Sequence, residues 1–129
     1  MSTLRSHIVI EASPDAVWKV VSDAPAIADW FPAIKSSTGD QTHRTVVLQD
    51  GAALEEAVVT ADSSLRRFQY RVVGGDLPVE QHLGTVDVIE LGPNRSLVVY
   101  STEIEPAVLA DAFEAAVSEA VSALPRQFS

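Results

Sequence analysis

The chain has 129 residues, with 18 acidic against 9 basic side chains for a net charge of −9, and it contains no cysteine. That length sustains a core in one domain, 1–129, without disulfides or a structural metal, and the lack of cysteine excludes a disulfide framework, a thiolate zinc site and a cysteine nucleophile. The negative balance repels phosphate backbones and anionic lipid surfaces, Met1 to Ile10 lacks the apolar run of a secretory signal, and nowhere do about 18 apolar residues follow one another; the expectation is a soluble cytoplasmic protein with no nucleic acid partner and no membrane insertion.

Ser6 to Glu11 is a short β-branched run that predicts a strand. Ala12-Ser13-Pro14-Asp15 then carries helix-start chemistry: Ser13 accepts from free N–H groups as the N-cap, Pro14 suits the first helical position, and Asp15 complements the positive helix end. Val17, Trp18, Val20 and Val21 form the apolar stripe of this helix. Ser22-Asp23-Ala24-Pro25 breaks it and starts a second short helix through Trp30. Pro32 biases Phe31 away from helical torsions, so the chain leaves extended towards Ile34.

From Ile34 to Thr102 the pattern is strands separated by turns: Ile34 to Thr38, His43 to Gln49, Ala52 to Thr60, Leu65 to Val73, Glu80 to Glu90, and Ser96 to Thr102. Gly39-Asp40, Asp50-Gly51, Asp62-Ser63-Ser64, Gly74 to Pro78 and Gly92-Pro93-Asn94 supply the turns. Connections this short favour an antiparallel meander, since parallel neighbours need long crossovers. Helical spacing returns from Pro106 to Leu124, where Leu109, Ala112, Phe113, Ala116, Val117, Ala120, Val121 and Leu124 share a face, and Asp111, Glu114, Ser118 and Glu119 lie away from it. At about 1.5 Å per residue this helix is roughly 28 Å long, enough to cross several strands. The plan is α+β: about seven antiparallel strands with one face on a long C-terminal helix and two short helices after the first strand.

This order of elements, together with Ala12-Ser13-Pro14-Asp15-Ala16-Val17-Trp18, Asp29-Trp30-Phe31-Pro32 and Leu77-Pro78-Val79, resembles small bacterial members of the START-like polyketide cyclase/dehydrase (SRPBCC) superfamily over nearly the whole chain. The resemblance implies a helix-grip fold, in which a curved sheet wraps around the C-terminal helix and encloses a cavity for a small apolar ligand. The motifs that carry it hold no reaction chemistry.

The Asp50-Gly51 turn sets a register. If Gln49-Asp50-Gly51 is a three-residue loop with Gly51 left-handed, Leu48 pairs with Ala52, Val46 with Leu54, and Arg44 with Glu56; a two-residue loop breaks this pairing. Parity then turns Arg44, Val46, Leu48, Leu54, Glu56 and Val58 to the inner face. Alternation adds Phe68, Tyr70, Val72, His82, Val86, Val88, Val98, Tyr100 and Ile104, with Gln81 and Thr85 pointing out. The expected ligand-binding set is Trp30, Arg44, Val46, Glu56, Phe68, Tyr70, His82, Tyr100, Phe113 and Val117, an apolar wall with a few convergent polar groups.

Each polar member has two readings. Arg44 and Glu56 either steady the sheet as a cross-strand pair or orient a ligand. His82, with a reference pKa of about 6.5, is either a hydrogen-bonded wall residue or a proton donor and acceptor. Tyr70 and Tyr100 are core aromatics or polarise a ligand carbonyl, and Trp30 caps the cavity or simply packs. The three dispersed histidines (His7, His43, His82) make no metal motif, and no Gly-x-Ser-x-Gly elbow, Walker loop or dinucleotide fingerprint occurs. No metal and no cofactor is therefore expected. Two functions remain, with a closed cavity as a third outcome: binding of a lipid- or polyketide-like molecule for transport, sequestration or sensing, or a cyclase/dehydrase-like enzyme. The enzyme's catalytic candidates are His82 or Glu56 for proton transfer, with Arg44 or a tyrosine polarising a carbonyl.

Overall fold

A computed structural model describes residues Met1–Ser129. The first strand, β1 (Ser2–Ile10), leads into helix α1 (Pro14–Val21). Ser13 is extended and its Oγ accepts from the Ala16 N–H at 3.2 Å, with Pro14 and Asp15 in the first turn as their chemistry requires. The next segment, Ala24–Asp29, winds as a 3₁₀ turn rather than a regular helix, and Asp23 does not cap it. Side chains from the following hairpin satisfy its free donors instead: Gln41 Oε1 accepts from the Ala24 N–H at 2.9 Å and Ser37 Oγ from the Ala28 N–H at 3.1 Å.

Six strands follow: β2 (Ile34–Gly39), β3 (His43–Leu48), β4 (Ala53–Asp62), β5 (Arg67–Gly75), β6 (Gln81–Gly92) and β7 (Arg95–Glu105). All neighbours are antiparallel, in the order β1-β7-β6-β5-β4-β3-β2, so the meander is closed on one side by β1 pairing with the last strand. That pairing runs from Ser2 opposite Ile104 to Ile10 opposite Ser96. It explains why β1 begins four residues before Ser6 and why β7 continues beyond Thr102: each lends the other a complete ladder. β5 starts at Arg67, later than the apolar pattern suggests, because Asp62 Oδ1 accepts from the Ser64 and Leu65 N–H groups and holds that segment as a turn ending at Arg66, φ 53°. Bulges in the β4–β5 pair, with Val73 of β5 unpaired opposite Glu55 and Glu56 and Val59 of β4 unpaired between Val58 and Thr60, break the register there and curl the sheet.

Helix α2 (Ala110–Ala123) lies on the concave face, flanked by 3₁₀ turns at Ala107–Leu109 and Leu124–Phe128. It packs chiefly on β1 and β7. Val117, Ala120, Val121 and Leu124 are buried there, and each such valine or leucine contributes about 1.5–3 kcal/mol through removal from water. The helix-grip α+β fold is the one expected. Because α2 covers one side of the curl, β3, β4 and β5 stand away from its N-terminal half.

Candidate functional site

The space left under that half of α2 is a cavity of about 590 Å³. The sheet contributes Val46, Leu54, Glu56, Tyr70 and His82, α2 contributes Ala112, Phe113, Ala116 and Glu119, and Phe31 to Ile34 with Leu48 to Asp50 complete the lining. The β3–β4 hairpin has the anticipated register. Arg44 pairs with Glu56 and Val46 with Leu54, the Leu48 N–H donates to the Ala52 carbonyl at 2.8 Å, and Gly51 sits at φ 94°. Only glycine takes that backbone angle without strain.

Arg44 is 1 % exposed and does not line the cavity. Its Nε donates to Glu56 Oε1 at 2.8 Å and its Nη1 to the Ala24 carbonyl at 2.9 Å. The guanidinium carbon stands 4.7 Å from the centre of the Tyr70 ring and 5.6 Å from that of Phe68. The cation is thus held by one carboxylate, one carbonyl and two aromatic faces, joining β3, β4 and the 3₁₀ turn, while Nη2 has no hydrogen-bond partner.

Glu56 has one oxygen on Arg44 and the other, Oε2, without a protein donor. Burial pushes its carboxyl above the usual carboxylate range, with the Arg44 charge acting in the opposite direction. His82 Nδ1 accepts from the Val72 N–H at 3.0 Å, which leaves the proton of the neutral imidazole on Nε2. The arrangement arises because the β5–β6 ladder stops at Tyr70 opposite Gly84; beyond it the strands part, and the His82 ring supplies the acceptor that a paired strand would have offered. Burial, and then the charges of Arg44 and Arg71, lower the His82 pKa to about 4. The imidazole is therefore neutral at pH near 7, packed at a tilt between Tyr70 and Phe113 with ring centroids 5.3 and 5.7 Å away.

Tyr70 and Tyr100 share a hydrogen bond between their hydroxyls, and burial raises both phenol pKa values. Tyr70 borders the cavity, whereas Tyr100 and Phe68 lie behind the lining in the core. Trp30 packs on Phe31 and Tyr100 and borders a separate depression beside Ala123 and Gln127. Its neighbour Phe31 is the aromatic that reaches the cavity. Val117 is buried against the sheet, one turn past Phe113. Of the expected set, then, Val46, Glu56, Tyr70, His82 and Phe113 come together around the cavity, and Trp30, Arg44, Phe68, Tyr100 and Val117 do not.

Several lining positions escape sequence pattern. Glu119, expected away from the apolar face of α2, borders the cavity because it follows Ala112 and Ala116 along the same flank of the helix. Asp50 is placed there by the hairpin loop. Gly84 matters differently: a Cβ on it would sit 2.5 Å from Tyr70 Cε1, so its bare backbone is what lets the ring lie flat over β6. A lone glycine inside an alternating strand is the signal for such a close approach. No group of three or more His, Cys, Asp or Glu side chains is arranged to hold a metal, and no helix is long and apolar enough to cross a membrane.

A curled seven-stranded sheet gripping a C-terminal helix over a cavity that opens at one edge defines a helix-grip protein. The family model described as "Polyketide cyclase / dehydrase and lipid transport" matches residues 1–128, and the chain belongs to that family. No curated protein matches it. Among solved structures it is similar to XoxI from Bacillus cereus, with 26 % identity, 99 % of this chain and 96 % of that one covered, and a TM-score of 0.89. A START superfamily protein from Mycobacterium smegmatis shares the fold at 17 % identity, 98 % and 99 % coverage and a TM-score of 0.80. So does norcoclaurine synthase from Thalictrum flavum, solved with dopamine and hydroxybenzaldehyde, at 20 % identity, 99 % and 88 % coverage and a TM-score of 0.71.

Proposed function

We propose that the chain, acting as one unit in the cytoplasm, binds a small and largely apolar molecule, lipid- or polyketide-like, for transport, sequestration or sensing. The observation that carries this reading is the cavity of about 590 Å³ with mainly apolar walls, into which Glu56 and His82 bring polar atoms the fold itself does not engage. Pockets of roughly 300–1,000 Å³ with few convergent polar groups suit such ligands. Native mass spectrometry of protein purified from its host tests the reading. A reproducible adduct of a few hundred daltons is expected, and repeated purification without any adduct overturns it.

A second reading has a specific observation behind it: Glu56 and His82 border the same cavity, as proton transfer to a bound carbonyl compound requires. Arg44 is unsuited to polarising that carbonyl, because two of its donors are engaged by Glu56 and Ala24, its free Nη2 is buried, and the residue does not line the cavity. If the co-purified compound is converted on incubation and Glu56→Gln abolishes the conversion while retaining the adduct, catalysis replaces carriage as the function.

A further inference from the structure

The charges around the cavity have one sign. Asp50, Glu56 and Glu119 border it, and no lysine or arginine does. Arg44 offsets Glu56 from behind the wall, but Asp50 and Glu119 stand in no ion pair. They are exposed at its edge, so an entering molecule passes two uncompensated carboxylates. Deeper in, Glu56 Oε2 is an acceptor without a donor, on a side chain only 7 % exposed, and His82 Nε2 is a donor without an acceptor.

From this arrangement we infer that the cavity selects by charge: it takes uncharged molecules whose polar end is a hydroxyl and turns away those ending in a carboxylate or phosphate. The inference rests on the binding reading above and deepens it. A hydroxyl both donates and accepts, so it can satisfy either group, donating to Glu56 Oε2 or accepting from His82 Nε2–H. A carboxylate offers acceptors only. It leaves Glu56 Oε2 without a donor, brings a second negative group towards a buried carboxylate, and finds no lysine or arginine in the lining to neutralise it. The neutral His82 ring gives an anion a hydrogen bond but no opposite charge.

Titration with pyrenebutanol and pyrenebutanoate, followed by pyrene fluorescence near neutral pH, isolates the head group because the apolar body is the same. The alcohol is expected to bind about tenfold more tightly or better, with the ratio narrowing as salt is added. In the double variant Asp50→Asn/Glu119→Gln the ratio is expected to fall several-fold. Both sites are exposed, and Asn keeps the acceptor that Asp50 Oδ1 offers the Ala52 N–H, so the fold is not at stake. Equal or tighter binding of the carboxylate by the unaltered protein overturns the charge selection and leaves the binding reading standing. Binding of neither probe, with no adduct in the native protein, overturns both.

Discussion

The two halves of α2 carry one continuous apolar stripe and meet opposite fates. In the C-terminal half Val117, Ala120 and Val121, with Leu124 just beyond the last turn, are buried, and the helix packs on β1 and β7. In the N-terminal half Phe113 and Ala116 are only half-buried and Ala112 is exposed, facing Val46, Leu54 and Tyr70 across the cavity. The side chains do not explain this contrast, since alanine and a large apolar residue occur in both halves. What differs is the part of the sheet opposite: α2 packs on β1 and β7, whereas its N-terminal half faces residues of β3, β4, β5 and β6 across the cavity. One half of the stripe holds the fold together, and the other is available to a ligand.

The strongest way to break this division is at the pair that ties the cavity wall to the core. Arg44→Met leaves Glu56 buried without its partner, and urea unfolding should show a loss of about 3–5 kcal/mol. Adding Glu56→Leu should restore most of that loss, since an apolar pair replaces an ionic one. Next in size is the contrast within α2 itself. Leu124→Ala, at a site with no exposure, should cost about 2–5 kcal/mol. Phe113→Ala should cost only about 1 kcal/mol and yet weaken pyrenebutanol binding about tenfold. Comparable stability losses at the two sites would erase the distinction.

A third test uses pH. His82 titrates at about 4 in the folded chain, against about 6.5 unfolded, so between these values the unfolded state holds the extra proton. Its contribution is complete above about pH 6.5 and declines as the pH falls towards 4, by about 3 kcal/mol in all. The raised pKa of Glu56 acts in the opposite sense, favouring the folded state as that carboxyl takes up its proton, and so reduces the net slope. His82→Gln keeps an acceptor for the Val72 N–H and should flatten the His82 part of the decline. An unchanged slope in unfolding curves would assign the pH dependence to another group.

The contrast between the halves of α2 also marks what sequence could reveal. The antiparallel meander and the pairing of Arg44 with Glu56 were legible, because alternation and the Gln49-Asp50-Gly51 turn are local signals that tertiary structure left in place; the grip of the sheet on α2 was implied by the family resemblance, and the pairing of β1 with β7 joins distant segments that carry no such signal. Parity correctly turned Arg44, Phe68, Tyr70, His82 and Tyr100 inward. It does not say how deep an inward side chain lies. Depth follows from the curl of the sheet and the seat of the helix, so Phe68 and Tyr100 became core while Tyr70 on the same face borders the cavity. Arg44 illustrates the same limit: its direction was readable, but its bond to the Ala24 carbonyl joins residues 20 apart along the chain.

The bare backbone at Gly84 ties two positions into one unit of change. Alanine there collides with the Tyr70 ring, and with the wild-type ring in place should destabilise by about 1–3 kcal/mol. The same alanine should be nearly harmless once Tyr70 is leucine. In a library randomised at both sites, functional clones should therefore show reciprocal dependence: bulk at one position only where the other has given up its volume. Any reshaping of this pocket in that region, by selection or by design, has an order: Tyr70 gives up its volume first, because bulk at Gly84 is blocked while the ring is in place.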